Sequence, residues 1–177
     1  MGKFSNHKGF TLLELMVVLG IIVILSAVSF PLLSDMIENS NYKSSARLIS
    51  STLRDSRALA ISRNLEHRVL VNPSSAQLRV QRGSRASNTP DDEWTDVSVR
   101  SLSAGVLLRA DSGCDSTLTK SIAFTPKGTG TQQVFCLLDP DGSLTLDQRK
   151  KYRIGVTGPT TGRVTIASWN RSGSHWN

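Results

Sequence analysis

The sequence predicts an α+β fold, in which one long N-terminal helix packs on an antiparallel β-sheet head. Three observations support this prediction. Residues 10–33 are almost wholly apolar, residues 32–72 contain neither glycine nor proline, and the remainder alternates short strand-like segments with turns. One helix followed by a run of strands is the pattern of an α+β chain. The 177 residues, 38% of them hydrophobic, suit about one such domain.

The apolar run at residues 10–33 predicts the first half of the helix. Its one charged residue is Glu14. At about 1.5 Å per residue the run would be about 36 Å long, which is enough to cross a hydrocarbon layer of about 30 Å. The basic segment before it, with Lys3 and Lys8, favours a cytoplasmic N-terminus. We therefore expect a transmembrane segment with the rest of the chain outside the cytoplasm.

Two ordinary explanations compete for this N-terminus. A cleaved secretory signal has a shorter apolar core of about 7–15 residues and then small residues, such as those at 26–29 here. An uncleaved signal anchor fits the long run better. Neither explains Glu14, because a carboxylate within a membrane costs about 2.5–3.5 kcal/mol on insertion scales. The alternative structural role for Glu14 is a capping box with Thr11.

The second half of the helix is predicted to be amphipathic. Ile49, Leu53, Ser56 and Ala60 recur at helical spacing. Another face carries the basic residues Lys43, Arg47, Arg54 and Arg57. We expect one helix from about residue 11 to residue 63, bent at residues 29–31, where Pro31 removes a backbone hydrogen bond. Its amphipathic half would pack on the head.

The rest of the chain predicts β-strands, because its segments are β-branched or alternate in polarity and are bounded by turn residues. The predicted strands are residues 65–72, 76–82, 97–102, 121–125, 134–138, 152–157 and 163–169. The polar segment at residues 83–96 is expected to be a mobile loop.

The N-terminal string KGFTLLELMVVLGIIVILSAVSFP closely resembles the class III signal of type IV pilins and type II secretion pseudopilins. The resemblance implies cleavage by prepilin peptidase between Gly9 and Phe10, followed by N-methylation of Phe10. It also implies that Glu14 and Pro31 serve assembly. In that family the glutamate meets the terminal amine of a neighbouring subunit, which would pair two buried charges.

The resemblance implies three parts of the chain. Residues 1–9 would be a cleaved leader, residues 10–33 a transmembrane and assembly helix, and residues 34–177 a periplasmic head with a type IV pilin-like fold. Cleavage would remove Lys3 and Lys8 but keep the apolar helix. The product would therefore be a single-pass protein of the bacterial inner membrane that enters a pilus or pseudopilus.

A second region resembles the GspH/FimT group of minor pilins and pseudopilins. It comprises SARLISSTLRDSRALAISRN after the apolar run, then IAFTPKGTG, VFCLLDPDG and GVTGPTTGRVTIA. The resemblance implies a structural subunit, not an enzyme, that initiates or caps a filament. Its implied partners are other minor and major pilins or pseudopilins, prepilin peptidase and the inner-membrane assembly platform.

The two cysteines, Cys114 and Cys136, would face the periplasm, where disulfides persist. A bond between them would stabilise the head by roughly 3 kcal/mol in the loop-entropy model. The alternative is a pair of small buried thiols. We favour the disulfide because Cys114 lies in a polar turn, DSGCDS.

Other site chemistry is weakly indicated. The sequence Asp139-Pro140-Asp141-Gly142 has two carboxylates but lacks the remaining ligands of a calcium loop, so we interpret it as a turn. No catalytic arrangement of Ser, His, Asp or Cys stands out. We expect no metal, no cofactor and no enzymatic activity.

DNA binding is the alternative function. The C-terminal segment carries six basic residues without an acid, and aromatic residues follow them; such a mixture can bind phosphates and stack on bases. The basic residues are Arg149, Lys150, Lys151, Arg153, Arg163 and Arg171. Resemblance to the FimT side of the family implies DNA uptake through a Gly-Arg-x-Arg element, but Thr165 replaces the second arginine here. A solvated basic strand edge is the structural alternative.

The net charge of +7 is unevenly distributed. Residues 43–85 hold nine basic and two acidic residues, residues 91–147 hold four basic and nine acidic, and residues 149–171 hold the six basic residues. Two basic segments thus flank an acidic one, a pattern that suits packing between heads as well as DNA.

Overall fold

The computed structural model describes residues 10–170 and 174–177, except for the side chains of residues 28–32, 34 and 35. The expected leader, including Gly9, and also Arg171 lie outside the described residues, as does the side chain of Pro31 at the expected bend. The chain divides into two compact units, of which the first ends at Asn39 and the second spans Ser40–Asn177.

Helix α1 spans Leu12–Arg63 and contributes to both units. Its ends agree with the predicted helix. The next residue, Asn64, has a φ of 53°, and this left-handed conformation commonly follows the last turn of a helix. Within the part of the chain that the structure describes, no helical segment has both the length and the hydropathy of a membrane span.

The second unit contains nine strands and one short helix among the described residues. They are β1 (His67–Asn72), β2 (Gln77–Arg82), β3 (Thr95–Ser101), β4 (Leu107–Ala110), β5 (Lys120–Phe124), β6 (Gln133–Leu138), α2 (Leu146–Arg149), β7 (Lys150–Gly158), β8 (Arg163–Asn170) and β9 (His175–Trp176). The strands form two antiparallel sheets, ordered β3-β2-β1-β5 and β4-β6-β7-β8-β9. All seven predicted strands are present.

The core of the second unit forms where α1 meets both sheets. One face of the helix is fully buried and consists of Tyr42, Ala46, Ile49, Leu53 and Ala60. The same cluster contains alternate residues of the first sheet, such as Val69 and Val71 of β1, and residues of the second sheet, such as Phe135 and Ile154. This alternation is what a sheet shows when one face packs on the core and the other faces solvent.

Polar contacts tie the β3–β4 connection to α1. The Ser103 amide donates to the Ser45 hydroxyl over 3.3 Å, and the Ser44 and Ser103 hydroxyls lie 3.1 Å apart. The Tyr42 hydroxyl donates to the Gly105 carbonyl at 3.5 Å. The connection therefore follows the helix surface as the chain passes from an edge of one sheet to an edge of the other.

The structure adds features that the sequence pattern did not predict. Strands β4 and β9 are four and two residues long, too short to give a periodic signal. The segment predicted as a loop at residues 83–96 contains a 3-10 helix at Asp91–Glu93 and the start of β3. It is held to β1 by Arg68, whose guanidinium pairs with Asp91 at 2.8 Å and lies 4.3 Å from the Trp94 ring centre.

His67 at the start of β1 is a fully buried titratable residue. Its Nδ1 lies 3.2 Å from the Leu65 carbonyl oxygen, and no partner within the described residues reaches its Nε2. Burial lowers the pKa of His67, and the positive charges of Arg63 and Arg82 lower it further; the Leu65 contact opposes them. The folded head therefore keeps this ring neutral at a pH where an exposed histidine starts to protonate.

We predict that His67 makes the head less stable in mild acid. The unfolded chain binds a proton near the ordinary histidine pKa of about 6.5, whereas the folded chain binds it only at lower pH. The free energy of unfolding therefore falls as the pH drops below about 6.5, and the contribution of His67 is complete above it. Thermal unfolding at pH 7.5 and 5.5 should show a smaller acid-induced loss for His67→Gln than for the unmodified chain.

The exposed His175 provides the matched control. His175→Gln should leave the acid-induced loss unchanged. Equal pH dependence in the unmodified chain and in His67→Gln would contradict the prediction.

Candidate functional site

The N-terminal part of α1 presents an exposed apolar surface with one acid. Phe10, Leu12 and Leu13 are 81%, 78% and 72% exposed, and large apolar side chains remain exposed as far as Leu25. The Glu14 amide donates to the Thr11 hydroxyl at 3.2 Å, which is half of the capping box that was the alternative role for Glu14. The described residues show no return bond from the Glu14 carboxylate. Capping therefore leaves this carboxylate available to another partner.

The basic residues at the start of β7 are engaged with neighbouring acids. Lys150 pairs with Asp147 at 2.8 Å, and Lys151 pairs with Asp139 at 3.3 Å. The Arg149 Nε donates to the Asp139 carbonyl oxygen over 2.8 Å. Both lysine side chains are mostly buried. These three residues hold the turn before β7 in place. Their positive charges are therefore compensated mainly by acids and a carbonyl oxygen of the same head.

The aromatic residues of the C-terminal segment pack on each other. The Trp169 and Trp176 rings meet edge to face with their centres 4.8 Å apart. Lys150 Nζ lies 4.3 Å from the Trp169 ring centre, and the Arg153 guanidinium lies 5.9 Å from that of Trp176. The predicted mixture of cations and aromatics exists, but it is a self-contained cluster in which the rings contact side chains of the same head.

The cysteines are joined in the structure. The Cys114–Cys136 disulfide has a Cα–Cα distance of 5.4 Å and links the turn after β4 to β6. Both residues are buried in a second apolar cluster with Leu138, and Leu107 and Trp176 pack against it. The C-terminal end of the chain therefore packs on the disulfide.

The turn at residues 139–142 is held by its own carboxylates. The Asp139 side chain accepts a bond from the Asp141 amide at 3.0 Å, and Asp141 accepts bonds from the amide and the hydroxyl of Ser143. These Ser143 bonds lower the pKa of Asp141. Within residues 10–170 and 174–177, no group of His, Cys, Asp and Glu is arranged to hold a metal ion.

Arg163 lies apart from the other C-terminal basic residues and faces α1. With Arg54 and Arg57 of the helix it lines a surface cavity of about 290 Å³, to which Thr161, Gly162 and Val164 also contribute. The sequence predicted Arg163 as a DNA-binding residue and assigned Arg54 and Arg57 only to a basic helix face. The structure places these three arginines around one cavity.

Two glycine turns position Arg57 within this site. The Arg57 Nε donates to the Gly128 carbonyl oxygen at 2.9 Å. Gly128 and Gly162 have φ of 79° and 55°, in the left-handed region that favours glycine. A Cβ on Gly162 would lie 3.1 Å from the Arg57 Nε and would overlap the Gly128 carbonyl oxygen. The absence of side chains here lets both turns approach the helix closely.

The first unit is thus an exposed apolar helix with one carboxylate, and in the second unit α1 packs on antiparallel sheets. Residues 4–30 match the family model described as the prokaryotic N-terminal methylation motif, which confirms the predicted prepilin signal class. No curated protein matches the chain.

Solved structures confirm the predicted fold class. Two structures of the minor pseudopilin EpsH from the type II secretion system of Vibrio cholerae superpose with TM-scores of 0.53 and 0.55. Each is 14% identical, and the matches cover 71% and 72% of this chain and 95% and 94% of EpsH. The type IV minor pilin FimU of Pseudomonas aeruginosa gives a TM-score of 0.50 at 14% identity, covering 76% of this chain and 96% of FimU. The chain has a pilin-like fold of this kind.

We predict that Gly162→Ala destabilises the head by about 1–3 kcal/mol, because the new side chain meets a left-handed backbone and the Gly128 carbonyl together. Chemical denaturation followed by tryptophan fluorescence measures the change. Gly142→Ala is the matched control, since a Cβ there meets no atom within 4 Å. Equal stability of the two variants would show that the close approach at Gly162 has little energetic weight.

Proposed function

We propose that this chain is a minor pilin or pseudopilin, a structural subunit that initiates or caps a type IV pilus or a type II secretion pseudopilus. The observation that carries the proposal is the methylation motif at residues 4–30 on a chain with a pilin-like head. A motif of this class supplies an N-terminal assembly helix, and the head supplies contacts that differ from one subunit to another.

Under this proposal, prepilin peptidase cleaves between Gly9 and Phe10, and Phe10 is then methylated. Cleavage removes the basic residues Lys3 and Lys8 and leaves an apolar helix that keeps the subunit in the inner membrane, with its head in the periplasm. The new terminal amine lies four residues before Glu14 in the sequence. Neighbouring helices can therefore pair an amine with a carboxylate in a low-dielectric environment, where unpaired charges are costly.

DNA uptake receives less support as the function. Lys150 and Lys151 are paired with Asp147 and Asp139, and Arg163 lies at a different site. Phosphate recognition uses several uncompensated cations along a continuous track. The C-terminal basic residues that the structure describes do not form such a track.

The first test concerns processing. We predict that Gly9→Val blocks cleavage, because a branched side chain replaces the glycine before the bond to be cut. In cells with a prepilin peptidase, the variant should migrate on a gel as the full 177-residue chain, whereas the unmodified protein migrates faster. Gly2→Val, in the same leader, is the control and should be processed normally. Normal processing of Gly9→Val would overturn the class III assignment.

The second test concerns assembly. Glu14→Leu removes the carboxylate but keeps an apolar helix, so we expect normal processing and loss of the subunit from isolated filaments. The physical reason is the terminal amine of a neighbour, which would be left unpaired at a cost of about 3–5 kcal/mol. Immunoblots of sheared filaments measure incorporation. Val17→Leu, an apolar exchange on the same helix, should assemble normally. Incorporation of Glu14→Leu at the unmodified level would exclude this role.

A further inference from the structure

The cavity beside Gly162 has three basic residues among those that line it. Arg54, Arg57 and Arg163 line it, and none of its six lining residues is acidic. Arg57 commits its Nε to the Gly128 carbonyl, which fixes one guanidinium at the wall. Three positive groups around one small cavity repel each other, so an anion that enters the cavity relieves the repulsion.

Arg54 and Arg163 are the available cations of this site. Both side chains are exposed, and within the described residues neither forms a hydrogen bond or ion pair with another part of the chain. Four other arginines of the head behave differently: Arg68, Arg79, Arg85 and Arg100 each pair with an aspartate or glutamate. The head thus leaves two guanidinium groups unpaired at a concave surface.

We propose that this cavity, which we call the arginine cavity, binds an acidic side chain on the head of a neighbouring filament subunit. The guanidinium group presents parallel N–H donors that match the two oxygens of a carboxylate. The proposal rests on the proposed function, since it needs a neighbouring subunit, and it names the chemistry that the neighbour contributes. Binding of the carboxylate in the arginine cavity would then fix the orientation of one head relative to its neighbour.

A carboxylate fits the site better than a nucleic acid does. None of the six described residues that line the cavity is aromatic, so they offer bases no stacking surface. The tryptophans of the head pack elsewhere, on each other and on Lys150 and Arg153. A phosphate backbone needs a series of cations, whereas a single carboxylate needs only two or three donors at one point.

Binding to defined probes tests the proposal directly. The full chain in neutral detergent is titrated with a fluorescent tetraglutamate peptide, a tetraglutamine peptide and a short DNA duplex. We expect binding of tetraglutamate that weakens with salt, and no binding of tetraglutamine. The double variant Arg54→Ala, Arg163→Ala should bind tetraglutamate about tenfold more weakly or worse, because two charge-assisted contacts are lost. Arg57 is left unchanged because it holds the Gly128 turn.

The double variant Lys43→Ala, Arg47→Ala is the matched control. It removes two exposed positive charges from the same helix without touching the arginine cavity, so it should bind like the unmodified chain. Absence of tetraglutamate binding, or an equal loss in the control, would overturn the proposal. Tighter binding of DNA that disappears only in the Arg54, Arg163 variant would assign the cavity to phosphate instead.

Incorporation into filaments separates this proposal from the proposed function. If the unmodified protein and the Lys43, Arg47 control enter filaments but the Arg54, Arg163 variant does not, the arginine cavity contacts a neighbour. If all three enter equally, the cavity has no part in assembly, while the subunit assignment stands. If the unmodified protein itself is absent from filaments, the assignment as a subunit fails first.

Discussion

The packing of one helix face against two separate sheets is the constraint on which the head depends. No strand pair joins the two sheets among the described residues; they meet in the core around Ile49, Leu53 and Ala60 of α1 and at the turns that contain Gly128 and Gly162. Each sheet has a core face that packs on the helix and on the other sheet. A helix position that lost its apolar side chain would therefore loosen both sheets, at a cost of about 2–5 kcal/mol for a large residue.

Beside its buried face, the same helix contacts turns of both sheets through one polar side chain. Arg57 stands one position after the buried Ser56 and reaches the Gly128 turn that follows β5, while Gly162 of the β7–β8 turn closes over it. One side chain of the helix thus contacts turns from both sheets. Because the turns come so close, the neighbouring Arg54 and Arg163 share one cavity even though 109 positions separate them in sequence.

The sequence predicts the elements better than it predicts their partners. Helical spacing at Ile49, Leu53 and Ala60 fixes the buried face, and β-branched alternation marks the seven longer strands. β4 and β9 are missed because two to four residues carry no period. The pairing of Lys150 with Asp147 has a local signal in the sequence, since the two residues are three positions apart. Asp139 and Asp147, just before the acid-free stretch, pair with its two lysines, which weakens the DNA-binding alternative.

No local signal predicts the arginine cavity, because its residues meet only through the long-range order of the strands. The glycine turns were visible in the sequence, yet which helix side chain they would enclose depends on the packing of both sheets. The two units of the chain share one property: each has at least one charged group without a partner among the described residues. The first leaves an apolar surface and the Glu14 carboxylate without internal partners among the described residues, and the second leaves Arg54 and Arg163 in the same condition. Under the two proposals, a neighbouring subunit would supply both missing partners, the terminal amine of its helix for Glu14 and a carboxylate of its head for the arginines.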